Sequence, residues 1–173
     1  MFVSCIRLTA KGRLGRIFML ALAAFMIAVT LGFLPNRSIA AGLQVCAANA
    51  TALIEVKVKN VRNSNGLITA VLYPDNPDTF LKKGKRLDRV RVEAKEGETL
   101  LCLKAPIAGR YSVAIYHDEN GNKKLDRNFI GIPSEGYGFS NNPGFRFGKP
   151  EQEETLFKVE AGITNVQISV LYL

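Results

Sequence analysis

Between residues 53 and 59, Ile54, Val56 and Val58 alternate with Glu55, Lys57 and Lys59. Near the other end, Val166, Ile168 and Val170 alternate with Asn165, Gln167 and Ser169. A period of two gathers each apolar set on one face of an extended chain, whereas a helix would scatter it around the axis. Half-buried strands of this kind need a second layer to cover their apolar face, which restricts the chain to a layered β fold. Further runs lie at residues 67–73, 89–94, 99–103, 111–115 and 154–159. Asn63-Ser-Asn-Gly66, Pro74, Ala105-Pro-Ile-Ala-Gly109 and Gly162 supply the turns between them. No stretch has a convincing amphipathic helical period. The expected fold is all-β: an Ig-like or transthyretin-like two-sheet sandwich of about seven strands, with a closed barrel as the alternative.

The first 40 residues have a different character. Lys11, Arg13 and Arg16 precede an apolar run from Ile17 to Leu34, and Ser38-Ile-Ala40 forms a small-x-small cleavage pattern. This predicts a signal peptide over residues 1–40, either cleaved or kept as an anchor, since 18 residues just reach across a bilayer. A lead-in at 41–51 and one domain at 52–173 follow. The expected location is periplasmic or secreted, with membrane contact only through an uncleaved leader. The whole chain carries +8, but five of its 23 Lys and Arg and none of its acids lie in the leader. Removing them leaves 18 against 15, a net +3, which gives nucleic-acid binding little support. Of three cysteines, Cys46 and Cys102 remain after cleavage, and an oxidising compartment favours bridging them. The loop of about 55 residues so closed contributes roughly 4 kcal/mol on the chain-entropy model. Free thiols or a redox pair are the alternatives, though no C-x-x-C spacing supports redox work.

Two connections exceed ordinary turn length. Residues 74–88 carry Phe80-Leu81 and then Lys82, Lys83, Lys85 and Arg86, a basic cluster suited to an anionic headgroup or polysaccharide, or simply to solvent. Residues 129–149 hold five glycines and five aromatics, Phe129, Tyr137, Phe139, Phe145 and Phe147. Long loops rich in aromatics are seldom disordered, so an Ω-like loop over one end of the sandwich is expected. Tyr137, Phe139, Asn141 and Asn142 are its candidate ligand-binding residues; plugging the open end of the core is the competing role.

Asp118, Asn120, Asn122 and Asp126 fall at alternate positions after a strand, so their oxygens can converge on a hard cation such as Ca²⁺. Glu119 and Glu135 are additional oxygen donors. The spacing departs from an EF-hand loop: Gly121 stands at position four, and Phe129 replaces the bidentate Glu at twelve. A polar hairpin, in which Asp and Asn bond their own backbone, explains the same residues. His117 is the single histidine. It suits a structural hydrogen bond or a general base, but one His and no Gly-x-Ser-x-Gly elbow leave little room for a triad or a zinc site. Asp118, Glu119, Asp126 and Glu135 form an acidic list that glycoside hydrolysis could use.

Three stretches taken together are familiar: residues 60–74, residues 105–126 with the run His117-Asp-Glu-Asn-Gly-Asn122, and residues 131–142, which end in Gly138-Phe-Ser-Asn-Asn142. They resemble the bacterial domain-of-unknown-function family 2141, over about residues 52–173. The resemblance implies an exported β-sandwich and supplies no activity or catalytic residue. The functional expectation is a non-enzymatic binding or interaction module with a candidate Ca²⁺ loop, whose partner is an envelope protein, a glycan or a small ligand. A carboxylate-based hydrolase and a structural envelope protein are the alternatives.

Overall fold

The computed structural model describes residues 52–146 and 148–173. The leader, the lead-in, Cys46 and its pairing with Cys102, and Phe147 all lie outside the described residues.

Among the described residues, eight strands form two sheets: β1 (Ala52–Val61), β2 (Leu67–Pro74), β3 (Asp88–Glu93), β4 (Gly97–Ala105), β5 (Gly109–Asp118), β6 (Gly136–Phe139), β7 (Phe157–Val159) and β8 (Gly162–Ser169). A one-turn helix, α1 (Gln152–Thr155), precedes β7. The smaller sheet has the order β4-β1-β8, with β1 and β4 antiparallel and β1 and β8 parallel. The larger runs β3-β2-β5-β6, and β7 pairs with the start of β5. All pairs in this sheet are antiparallel.

The alternation read in the sequence is the alternation of burial. Ile54, Val56 and Val58 of β1 meet Ile68, Ala70 and Leu72 of β2, Leu101 and Leu103 of β4, and Val113 and Ile115 of β5 in one core between the sheets. Fully burying an aliphatic side chain of this size contributes about 1.5–3 kcal/mol relative to exposure. Gly66 closes the β1–β2 turn at φ +64°, and a Cβ there would stand 1.9 Å from the Asp118 carbonyl oxygen, so the turn packs on the end of β5 only because the residue is glycine.

Two expectations are corrected. The run at 154–159 is not one strand, because Glu154 Oε2 accepts the Glu151 N–H at 3.0 Å and holds a helical turn before β7 begins. The 129–149 connection is not wholly loop, because β6 lies within it. Its inward residues are Gly136 and Gly138, where a Cβ would come within 2.3 Å of the Tyr172 ring and 2.7 Å of the Ser169 carbonyl oxygen. Glycine there lets the chain leaving β8 cross toward the larger sheet, where Tyr137 and Leu171 exchange backbone hydrogen bonds of 3.0 and 2.7 Å. Tyr137 and Phe139 then point to the outer face.

Candidate functional site

The oxygen-rich loop folds on itself. Asn120 and Asn122 both donate from Nδ2 to Asp126 Oδ2, at 2.7 and 2.8 Å. Their Oδ1 atoms accept the backbone N–H groups of Asn122 and Lys124. Those backbone donors set the amide orientation, so both side chains present N–H rather than oxygen toward Asp126. The two amides hold the Asp126 carboxyl below its ordinary range. Glu135, also buried, accepts from Glu119 N and Asp126 N at 3.0 Å each and ties the loop to the approach to β6. Asp118 is fully buried; its Oδ2 accepts the Lys123 N–H at 2.7 Å, while Oδ1 has no partner among the described residues. Among those residues, no group of three or more His, Cys, Asp or Glu is placed to hold a metal.

His117 is a rivet. It is fully buried, with Nε2 2.8 Å from the Asn65 carbonyl oxygen and Nδ1 2.8 Å from the Tyr172 hydroxyl. A carbonyl only accepts, so Nε2 carries a proton. Tyr172 in turn accepts the Arg62 N–H at 3.0 Å, and the Arg62 guanidinium lies 4.4 Å from the centroid of its ring. Arg62 also grips Glu119 through Nε and Nη2. That hydrogen-bonded pair lowers the Glu119 pKa and raises that of Arg62. Turn, β5 and C-terminal tail are thereby joined at one end of the sandwich.

Residues 140–142 replace missing strands. β7 pairs with residues 109–111 of β5 and β6 with residues 114–117, which leaves a gap at Ser112 and Val113. Buried Ser140 fills it: its N–H donates to the Val113 carbonyl and its Oγ accepts the Val113 N–H. Asn141 donates to the carbonyls of Glu154 and Leu156. Asn142 donates to the Gln167 carbonyl and accepts the Ser169 N–H at 2.7 Å, so its amide serves as a peptide group on the edge of β8. Both asparagines have positive φ, 63° and 50°, where Asn is among the better-tolerated residues. Their side chains are spent on backbone.

The concave feature lies elsewhere, on the outer face of the larger sheet. Across the strands, Arg89, Val71, Ala114 and Phe139 stand in one row and Arg91, Thr69, Tyr116 and Tyr137 in the next. Ala114, small between Val71 and Phe139, forms the low point of the floor. Phe80, from the 74–88 connection, packs edge-on to Tyr73 at 5.7 Å between ring centroids and roofs one side. Leu125 to Pro133 on one side, and Phe145, Arg146, Gly148 and Lys149 on the other, wall the rest. The resulting groove has a volume of about 590 Å³. Of the four candidate ligand-binding residues, Tyr137 and Phe139 line it, whereas Asn141 and Asn142 do not. Sequence reasoning missed Val71, Ala114 and Tyr116, and the rim residues Arg127 and Lys149. The available signal was the run at 67–73, apolar on both faces, which requires cover on its outer side as well.

Cys102 is half-buried on β4, on the outer face of the smaller sheet.

No protein of curated function and no solved structure matches the chain. A family model matches residues 56–167, which is most of the described domain. The chain therefore belongs to the domain-of-unknown-function family 2141, described as an uncharacterized protein conserved in bacteria.

Proposed function

We propose that this chain is an exported, non-enzymatic binding module whose ligand occupies the groove on the outer face of the larger sheet. One observation carries the reading. A sandwich normally turns polar residues outward, yet Val71, Ala114 and Phe139 make an apolar, concave row on an outer face. Concave, mostly apolar sites of about 300–1,000 Å³ are the usual form of small-ligand pockets. Export rests on the leader pattern of residues 1–40, and a Cys46–Cys102 disulfide is part of the same proposal.

The hydrolase alternative is weakened by how its residues are occupied. Glu119 is held by Arg62, Asp126 by two amides, Glu135 by two backbone N–H groups, and both ring nitrogens of His117 are engaged. An uncharged dye tests the groove: Nile red fluorescence should rise on adding the protein. Ala114→Trp should abolish that rise while the melting temperature is retained. A dye signal indifferent to Ala114→Trp would move the site elsewhere.

A second reading, Ca²⁺ in the 118–126 loop, is favoured by the buried, unpartnered Oδ1 of Asp118. It requires the Asn120 and Asn122 amides to turn away from Asp126. Millimolar Ca²⁺ should then raise the melting temperature, with no rise in Asp118→Asn. An unchanged melting temperature would leave the loop an ordinary turn.

A further inference from the structure

Resting on the reading of the groove as a binding site, we propose that its ligand is a single-chain amphiphile with an anionic head, of the long-chain carboxylate class. The tail lies on the Val71–Ala114–Phe139 floor and the head meets Arg127 and Lys149.

The lining chemistry selects this class. Every charged residue that lines the groove is a cation: Arg127, Arg146 and Lys149. Among the described residues, no Asp, Glu, Asn, Gln, Ser, Thr or His side chain lines it. Apart from the tyrosine hydroxyls of Tyr73, Tyr116 and Tyr137, the uncharged walls are aliphatic or aromatic, a poor match for the many hydroxyl or ring-edge groups that a sugar or nucleoside must satisfy. A chain of methylenes has no such need. Ile130, Phe145 and Leu173 line the groove and are also exposed, at 63, 54 and 56 %, so a bound tail would cover apolar surface that now faces water.

The cations are not equivalent. Arg146 is committed to Glu154 at 2.6 Å. Arg127 gives one N–H to the Gly131 carbonyl at 2.8 Å and has no carboxylate partner among the described residues, and Lys149 likewise has no ion pair there. Two uncompensated positive charges beside an apolar wall attract an anion more strongly than they would in open water. The field of Arg127 reaches the wall itself: burial pushes the Tyr137 phenol up, and the guanidinium opposes that rise. Arg86 and Arg89 act in the same sense on Tyr73 at the other side. The groove therefore joins an apolar trough to a positive rim.

Displacement of Nile red by three chain-matched competitors, each below its micelle concentration, tests the proposal. Dodecanoate should displace the dye at concentrations at least about fivefold lower than methyl dodecanoate, the size expected for a partly solvated charge contact. Dodecyltrimethylammonium should be weakest. The double variant Arg127→Gln/Lys149→Gln should erase the advantage of dodecanoate while the ester still competes and the melting temperature holds. Equal displacement by acid and ester, or an advantage that survives the double variant, overturns the anionic head and leaves the groove reading standing. Failure of Nile red itself to bind overturns the groove reading. Sedimentation of the protein with phosphatidylglycerol vesicles, while monomeric dodecanoate fails to compete, overturns the proposal in favour of a membrane surface.

Discussion

The outer faces of the two sheets differ in kind. On the smaller sheet, Glu55, Lys57, Lys59, Lys104, Asn165 and Gln167 point outward beside Leu53, Leu100, Cys102 and Ile163, and Lys57 reaches Glu98 across the ladder at 3.4 Å. On the larger sheet, Val71, Tyr73, Ala114, Tyr116, Tyr137 and Phe139 gather on the outer face, with Thr69, Arg89 and Arg91 toward the β3 edge. The first is a mixed face, in which charged and amide side chains stand beside a few apolar ones. The second is a partial second core, with Val71, Tyr73 and Phe80 packed together and the remainder left as a groove. Both faces belong to strands of the same alternating construction, so strand formation alone does not account for the difference. What differs is that three long connections fold over one face and none of comparable length folds over the other within the described residues.

Substitutions can break that contrast, and Phe80→Ala should do so most. Phe80 is 2 % exposed, and removing it should cost about 3 kcal/mol and open the groove, read by chemical denaturation with a Nile red titration. A loss below about 1 kcal/mol would mean that the 74–88 connection merely rests on the sheet. Gly138→Ala comes next. Its Cβ would press on the Ser169 carbonyl oxygen and the Ile168 side chain, at 2.7 and 2.9 Å, and about 2 kcal/mol should be lost as β6 is pushed from the tail. Retained stability would show that the tail after β8 can move aside.

The Arg62–Glu119 pair should contribute less, because the guanidinium side chain is nearly half exposed and solvent screens it. Glu119→Gln should cost about 1 kcal/mol at neutral pH. The folded pKa of Glu119 is lowered, so its stabilisation is fully present above the unfolded value near 4.5 and is lost as pH falls through the folded one. Wild-type protein should therefore lose its advantage over Glu119→Gln below about pH 4.5 in paired thermal melts. A gap that persisted at pH 2 would assign the loss to packing instead. On the smaller sheet, Lys57→Ala should change stability by less than about 0.5 kcal/mol, and a larger effect would show that the Lys57–Glu98 pair does more than an exposed ion pair.

Six strands were legible because they are written in aliphatic and β-branched residues, alternating or continuous: the runs expected at 53–59, 67–73, 89–94, 99–103 and 111–115, and the alternation at 165–170, coincide with β1 to β5 and β8 within a few residues. The exception at the C-terminus is informative, since β8 ends at Ser169 while the alternating pattern continues through Val170. There the tail leaves one sheet for the other. β6 was illegible for a physical reason. Gly136-Tyr-Gly-Phe139 is a period-two strand whose inward residues are glycine, so composition reads as loop where contact with Val170 and Tyr172 demands a missing side chain. The residues 140–142 were legible as special but not in their role, because an Asn that binds sugar and an Asn that completes a sheet edge look the same in sequence.

By itself, the sequence determined the layered all-β fold and the polar character of the 118–126 loop, because both are written in short-range spacing. Tertiary structure alone decided where the concavity lies. Val71, Ala114 and Phe139 are separated by tens of residues and become neighbours only through strand pairing. The connections that line that floor bring Arg127 and Lys149 to it, and no local pattern encodes a groove assembled from separate strands and loops.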